Sequence, residues 1–276
     1  WAQGVRGADV TVGGQDTGVR WDHAALRASY RGWDGNAASH DHHWHDAIRA
    51  VIGTGTNPCG LDAQSPCDDN NHGTHTIGTI TGDDGASNQI GVAPDARWIA
   101  CRNMERGNGT PSTYIECFQW FVAPTDLAGL NPRPDLAPDV INNSWGCPPS
   151  EGCNTPAILE QAVVNVRAAG IVVVVSAGNS GSACGTIVDP PATYDASFTV
   201  GSTTSANAMS GFSSRGPVAA GIGSRPKPDV VAPGSGVRSA TRTSTSSYAS
   251  FSGTSMAGPH VAGAVALLID VEPKLT

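Results

Sequence analysis

Ile171-Val-Val-Val-Val-Ser-Ala-Gly-Asn-Ser-Gly181 decides the fold. Five consecutive β-branched aliphatic residues make a strand buried on both faces, because a half-exposed strand would alternate apolar with polar side chains. Such strands belong to parallel sheets covered by helices. The run ends in Ser176-Ala-Gly-Asn-Ser-Gly181, a glycine-flanked turn. That is the carboxyl end of the strand, where open parallel sheets hold their ligands. Asn179 in this turn has an amide that can point into a cleft and donate to an oxyanion, although taken alone it also reads as an ordinary turn asparagine.

Working outward, strands are expected at 9–13, 97–101, 140–143, 171–176, 198–201 and 230–232, and helices at 73–81, 112–122, 155–169 and 254–271. Gly170 supplies the stop after the third helix. Strand and helix alternate, which predicts an α/β fold: a mostly parallel sheet with right-handed crossovers and helices on both faces. Residues 202–252 are rich in Ser, Thr and Gly and read as turns and short strands. Phe212, Val230, Val231 and Phe251 still give that stretch core material.

Composition narrows the function classes. Of 276 residues only 14% are charged, against about 25% in typical domains, and the net charge is −8. Lys227 and Lys274 are the only lysines and there is no basic run, so nucleic acid and anionic membranes are unsuited as partners. The longest uninterrupted apolar run, 264–269, falls far short of the roughly 20 residues that cross a bilayer. The chain begins at Trp1 with no initiator Met and no apolar leader, as expected of a processed chain or of a domain taken from a longer protein. Seven cysteines include the close pairs Cys59/Cys67 and Cys147/Cys153 and the looser pair Cys101/Cys117, with Cys184 left over. Local disulfides in an exported protein fit this spacing, and buried thiols in a cytosolic enzyme are the alternative.

Three further motifs carry candidate chemistry. Gly253-Thr-Ser-Met-Ala-Gly258 opens a small-residue apolar helix that continues through Leu268. A serine there, Ser255, sits among the orphan N–H groups of a helix start, which suits a nucleophile whose attack creates an oxyanion. An N-capping serine or threonine is the plainer alternative. Asn70-Asn-His-Gly-Thr-His75 offers His72 as a general base or as a structural histidine. His72 and His75 also lie three residues apart, but the H-E-x-x-H zinc pattern is missing. Asp16-Thr-Gly follows the first strand, where a carboxylate can orient a histidine or simply make a turn. Pepsin-like aspartic proteases need a second such aspartate, and the chain has no other D-T-G.

Together, Asp16-Thr-Gly, His72-Gly-Thr-His, the Ser176–Gly181 turn and Gly253-Thr-Ser-Met-Ala-Gly-Pro-His-Val-Ala-Gly263 resemble the motifs of the subtilisin-like serine proteases, the subtilases, in that family's order of Asp, His and Ser. Asn143-Ser-Trp-Gly146, Gly211-Phe-Ser-Ser-Arg-Gly-Pro217 and Lys227-Pro-Asp-Val-Val-Ala-Pro-Gly234 add to the likeness, which runs from about residue 5 onward and is nearest to extracellular bacterial members with extra disulfides.

The resemblance implies a three-layer subtilisin-like fold and one catalytic domain over 1–276 with shortened terminal elements. It implies a secreted serine endopeptidase of broad specificity working through an acyl-enzyme. Ser255 would attack, His72 would move the proton, Asp16 would fix the imidazole, and Asn179 with the Ser255 N–H would form the oxyanion hole. Asn70, Ser144, Trp145, Gly146, Ala177 and Gly178 would bind extended polypeptide substrates. The chain's own propeptide would act as inhibitor and folding aid, and the enzyme would be a monomer. No cofactor enters the chemistry. A structural calcium is expected near Asp83, Asp84 and Asn88, with Asp62, Asp68 and Asp69 as a weaker cation candidate. The segments matching the primary specificity pocket, 143–146 and 176–187, hold no acidic residue, which predicts a preference for large apolar side chains. His40-Asp-His-His-Trp-His-Asp46 reads as a surface or substrate-rim loop, with a transition-metal site as its alternative. Outside proteolysis, the remaining readings are a catalytically silent binding module and a serine esterase.

Overall fold

A computed structural model describes residues 1–219 and 224–273. In chain order its first half holds β1 (Thr11–Asp16), β2 (Trp44–Asp46), α1 (His72–Thr81), β3 (Arg97–Arg102), α2 (Pro111–Val122) and β4 (Val140–Asn143). There follow α3 (Glu160–Ala168), β5 (Val172–Ser176), β6 (Phe198–Thr203), β7 (Val218–Ala219) and β8 (Ser224–Arg225). The last elements are β9 (Val230–Pro233), β10 (Val237–Ala240), β11 (Tyr248–Phe251) and α4 (Thr254–Val271). Seven strands form one sheet in the order β2-β3-β1-β4-β5-β6-β9. Every neighbouring pair in it is parallel. β7–β8 and β10–β11 are small antiparallel pairs.

The five-residue apolar run behaves as its composition requires. Val173 and Val175 face a core built with Phe118, Phe121 and Val163 of α2 and α3. Val174 between them faces the opposite core, built with Ile77 and Ile80 of α1 and Ala257 and Val261 of α4. The sheet is thus the middle of three layers, as in a subtilisin-like fold. The chain passes from β3 to β4 by stepping across β1. That crossing is a topological switch point, and a crevice opens at the carboxyl end of β1.

Boundaries move for identifiable reasons. β1 starts late because Asp9 has φ 61°, a left-handed value no strand accepts. α2 starts at Pro111, with a capping box between Thr110 and Thr113. α3 starts five residues later than its pattern suggests. The Tyr194 hydroxyl donates to the Pro156 carbonyl at 2.7 Å and accepts from the Leu159 N–H at 3.1 Å, taking backbone groups that a longer helix would use. β2 lies in the histidine-rich loop, where no apolar alternation betrays it. Its Trp44 is fully buried and donates its indole N–H to the Ala63 carbonyl.

α4 is by length and composition apolar enough to span a bilayer, more than its broken runs suggest. Its buried residues instead pack on the sheet and α1. Pro259 inside this helix cannot donate to the Ser255 carbonyl one turn earlier. The Ser144 hydroxyl donates to that carbonyl instead, at 2.9 Å.

Candidate active site

Asp16 is the last residue of β1 and His72 the first of α1, so the switch-point crevice receives both. His72 Nδ1 lies 2.8 Å from Asp16 Oδ1 and 3.0 Å from Oδ2. The carboxylate can only accept, so Nδ1 carries the proton and Nε2 is left as the basic nitrogen. Gly73 makes this approach feasible, since a Cβ there would collide with the Gly18 carbonyl. Burial pushes the His72 pKa down, but the charge and hydrogen bond of Asp16, helped by Asp68, outweigh it, and the net shift is upward. Nε2 makes no hydrogen bond among the described residues. His72 lines a hollow with Asn70, Met104, Ser144, Trp145 and Gly146. His75 turns away from this site: its Nε2 lies 3.0 Å and 3.2 Å from the carbonyls of Val237 and Ala249. Burial holds its pKa down at about 4, so it is a structural partner of the β10–β11 hairpin.

Asp68, expected only as a weak cation ligand, organises this corner. Its Oδ1 accepts from Thr17 Oγ1 and from the N–H groups of Asn70 and Asn71, at 2.8–3.0 Å. Its Oδ2 accepts from the N–H and hydroxyl of Thr74. Thr17 Oγ1 in turn accepts from the Gly73 N–H at 3.0 Å. One buried carboxylate therefore binds the exit of β1 to the start of α1 and takes up orphan helix donors. The only trace of this in the sequence is a carboxylate four residues before the histidine.

Ser255 stands in the first turn of α4. Its hydroxyl donates to the Ser144 carbonyl at 3.0 Å and not to His72, so the serine is presented to the cleft but parked on the neighbouring strand segment. The reciprocal bond from Ser144 Oγ to the Ser255 carbonyl locks the two segments together, and Asn142 Nδ2 donates to Ser144 Oγ at 2.8 Å. Asn179 is oriented by Thr254, a buried residue otherwise readable as a mere cap. Thr254 N and Oγ1 both donate to Asn179 Oδ1, at 2.9 Å and 3.1 Å. With Oδ1 occupied, Nδ2 is free to donate elsewhere. A Cβ placed on Gly253 would lie 3.6 Å from both Asn179 Nδ2 and the Ser255 N–H nitrogen, so the two donors converge on one small space.

Beside these donors is a cavity of about 280 Å³ lined by Trp145, Gly146, Ala177, Gly178, Asn179 and Ser255, among others. It shares the Trp145–Gly146 wall with the His72 hollow. All the residues expected to bind substrate line one hollow or the other. The absence of acids from the segments 143–146 and 176–187 does not extend to the cavity as a whole. Glu151 and Asp189 both line the cavity, because the loop after β4 and the residues just past Ile187 fold into it from outside the two segments read in the sequence.

The disulfides are Cys59–Cys67, Cys101–Cys117 and Cys147–Cys153, as the spacing suggested, and Cys184 is free and exposed. The calcium candidates do not fit a cation cage. Asp83 Oδ2 faces Arg6 at 3.4 Å, and Asn88 Oδ1 accepts from Arg238 at 2.7 Å. Asp84 spends its oxygens on the Asn88 amide and on the N–H groups of Ala86 and Asn88. Asp69 pairs with Arg102 and Asp62 with Arg49. Among the described residues no three His, Cys, Asp or Glu side chains are placed to hold a metal ion. The four histidines of 40–46 have separate partners: Tyr30, the Pro124 carbonyl, the Ser39 carbonyl and Glu116.

A serine at a helix start, a carboxylate-bound histidine and two converging N–H donors, set on an α/β fold, are the parts that a serine hydrolase uses. The subtilase family model matches residues 7–276. The whole chain is 37% identical to Bacillopeptidase F of Bacillus subtilis (strain 168), of which it spans only 18%. It is 34% identical to Subtilisin DY of Bacillus licheniformis across the full chain and 82% of that protein. With Subtilisin Savinase of Lederbergia lenta it shares 38% identity over 75% of the chain and 66% of that protein. In structure it resembles a cold adapted subtilisin-like serine proteinase, with a TM-score of 0.66, 29% identity and coverage of 98% of this chain and 79% of that one. The chain belongs to the subtilase family.

Proposed function

We propose that this chain is an extracellular serine endopeptidase that cleaves extended polypeptides through an acyl-enzyme. The observation that carries the reading is the 2.8 Å contact of His72 Nδ1 with the buried Asp16 carboxylate. It fixes the tautomer that leaves Nε2 able to take a proton. In the reaction the Ser255 hydroxyl rotates from the Ser144 carbonyl toward His72, a change between staggered wells of one side-chain torsion. Catalytic hydrogen bonds of this kind commonly tighten only once substrate is bound. Ser255 Oγ then attacks the scissile carbonyl and Nε2 accepts the hydroxyl proton. The new oxyanion accepts from Asn179 Nδ2 and the Ser255 N–H. Imidazolium, stabilised by Asp16, returns the proton to the leaving amine, and water repeats the sequence on the ester.

The segment Ser144–Gly146 supports binding of the substrate backbone as an added strand, a mode that ignores most side chains and favours broad protein substrates. Three disulfides support an oxidising, extracellular compartment. A propeptide inhibitor and a monomeric state complete the proposal by family likeness. The test is a fluorophosphonate adduct located by mass spectrometry, together with casein hydrolysis by Ser255→Ala. The label is expected on Ser255 and the variant is expected to lose turnover while keeping its fold. Near-native hydrolysis by the variant would refute the nucleophile, and cleavage of short-chain esters but not casein would favour an esterase.

A further inference from the structure

Of the sixteen described residues lining the cavity next to Ser255, two are ionisable, and both are acids: Glu151 and Asp189. Among the described residues no arginine, lysine or histidine lines it. Glu151 is held in place by its surroundings. Tyr114 donates its hydroxyl to Glu151 Oε2 and stacks flat on Trp145 at 3.9 Å. The Cys147–Cys153 disulfide closes the short loop that carries Glu151. Asp189 is different. It is half-buried, and its carboxylate makes no hydrogen bond or ion pair among the described residues. It lies against the Gly146 backbone, where an added Cβ would sit 3.3 Å from Asp189 Cβ and 3.9 Å from Oδ2. The next residue anchors this position, since the Cys147 N–H donates to the Pro190 carbonyl at 2.8 Å.

Building on the endopeptidase reading, we infer that Asp189, assisted by Glu151, makes this pocket select an arginine or lysine side chain immediately before the scissile bond. A substrate carbonyl held by Asn179 and the Ser255 N–H directs that side chain into this cavity. An apolar side chain there would strip water from two acids and give them no counter-charge, which is costly. A basic side chain supplies the missing charge at its tip. Its methylene stem packs along Trp145, Gly146, Ala177 and Gly178, the division of labour typical of long cationic side chains. Burial already raises the pKa of both Asp189 and Glu151, and the charge of Asp189 adds to the rise at Glu151. A cation in the pocket relieves both effects. Neither acid lies in the segments 143–146 and 176–187, from which the apolar preference was read.

The test compares matched chromogenic peptides that differ only in the residue before the scissile bond, Arg, Lys, Phe or Leu, using the full chain. The Arg-to-Phe ratio of kcat/KM is expected to exceed ten. In Asp189→Asn that ratio is expected to fall about 10–100-fold, equivalent to about 1.4–2.7 kcal/mol at 1.36 kcal/mol per tenfold. In Glu151→Gln it falls less, because Glu151 already has a donor in Tyr114. A ratio reads selectivity and is insensitive to general damage in either variant. Faster cleavage after Phe or Leu by the unmodified chain would overturn the inference while leaving the endopeptidase reading standing, and so would an unchanged ratio in Asp189→Asn. If no peptide is cleaved, the endopeptidase reading fails, and calorimetry with benzamidine still decides the pocket. Binding that weakens at least tenfold in Asp189→Asn supports it, and no binding to the unmodified chain overturns it.

Discussion

Replacing Asp68 by Ala removes a carboxylate that accepts five hydrogen bonds at the junction of β1 and α1. Three of the donors are backbone N–H groups, those of Asn70, Asn71 and Thr74, and Asp68 itself is 4% exposed. Each buried donor left without a partner costs about 1–3 kcal/mol. Water entering the space left by the carboxylate recovers part of this, and the losses are not additive. The expected destabilisation is therefore about 3–5 kcal/mol. For a chain of this size each kcal/mol moves Tm by about 2–4 °C, which gives a fall of roughly 6–20 °C. Circular dichroism melting of the fluorophosphonate-blocked enzyme measures it without autolysis. Asp68→Asn keeps the shape but replaces one accepting oxygen by a donating amide facing Thr74 or its neighbours, so it should fall between Ala and the native chain. A shift under 2 °C in Asp68→Ala would show that the junction is held by packing and not by this carboxylate.

Two other outcomes follow from the geometry. Under the proposed mechanism neutral His72 is the active form, and Asp16 raises its pKa above the ordinary value near 6.5, so kcat/KM should fall with decreasing pH along a limb whose midpoint lies above 6.5. Asp16→Asn should lower the rate and move that limb to lower pH, and a native midpoint below 6.5 would contradict the argument. The Cys147–Cys153 bridge spans a sequence separation of 6, for which loop-closure entropy gives about 2 kcal/mol. The double Ser variant should therefore melt roughly 4–8 °C lower by scanning calorimetry, and an unchanged Tm would show that the loop is held by its packing alone.

The fold was legible wherever burial on two faces or a helical period left a mark. The run after Gly170 disclosed the sheet, and α4 was delimited to the residue because small and apolar residues dominate from Thr254 to Val271. Trp44–Asp46 was not legible, since a three-residue strand of His and Asp around one buried Trp has no period to detect. The motif residues Asp16, His72, Asn179 and Ser255 stood out because each is flanked by glycines or sits at an element boundary. Asp68 and Thr254 did not, because their work is done through hydrogen bonds to partners remote in sequence. Asp189 escaped for a similar reason: pocket membership is a property of three dimensions, and the two segments flanking the cleft define only part of its wall.

α4 occupies the middle of one face of the sheet, against strands drawn from nearly the whole chain. During synthesis those strands must therefore wait, their apolar face covered only in part by α1, until residues 254–271 emerge from the ribosome. Ser255 travels on that same helix, so under the proposed mechanism hydrolytic competence would arrive with the keystone of the tertiary structure, and a half-made chain would lack the group that attacks its neighbours.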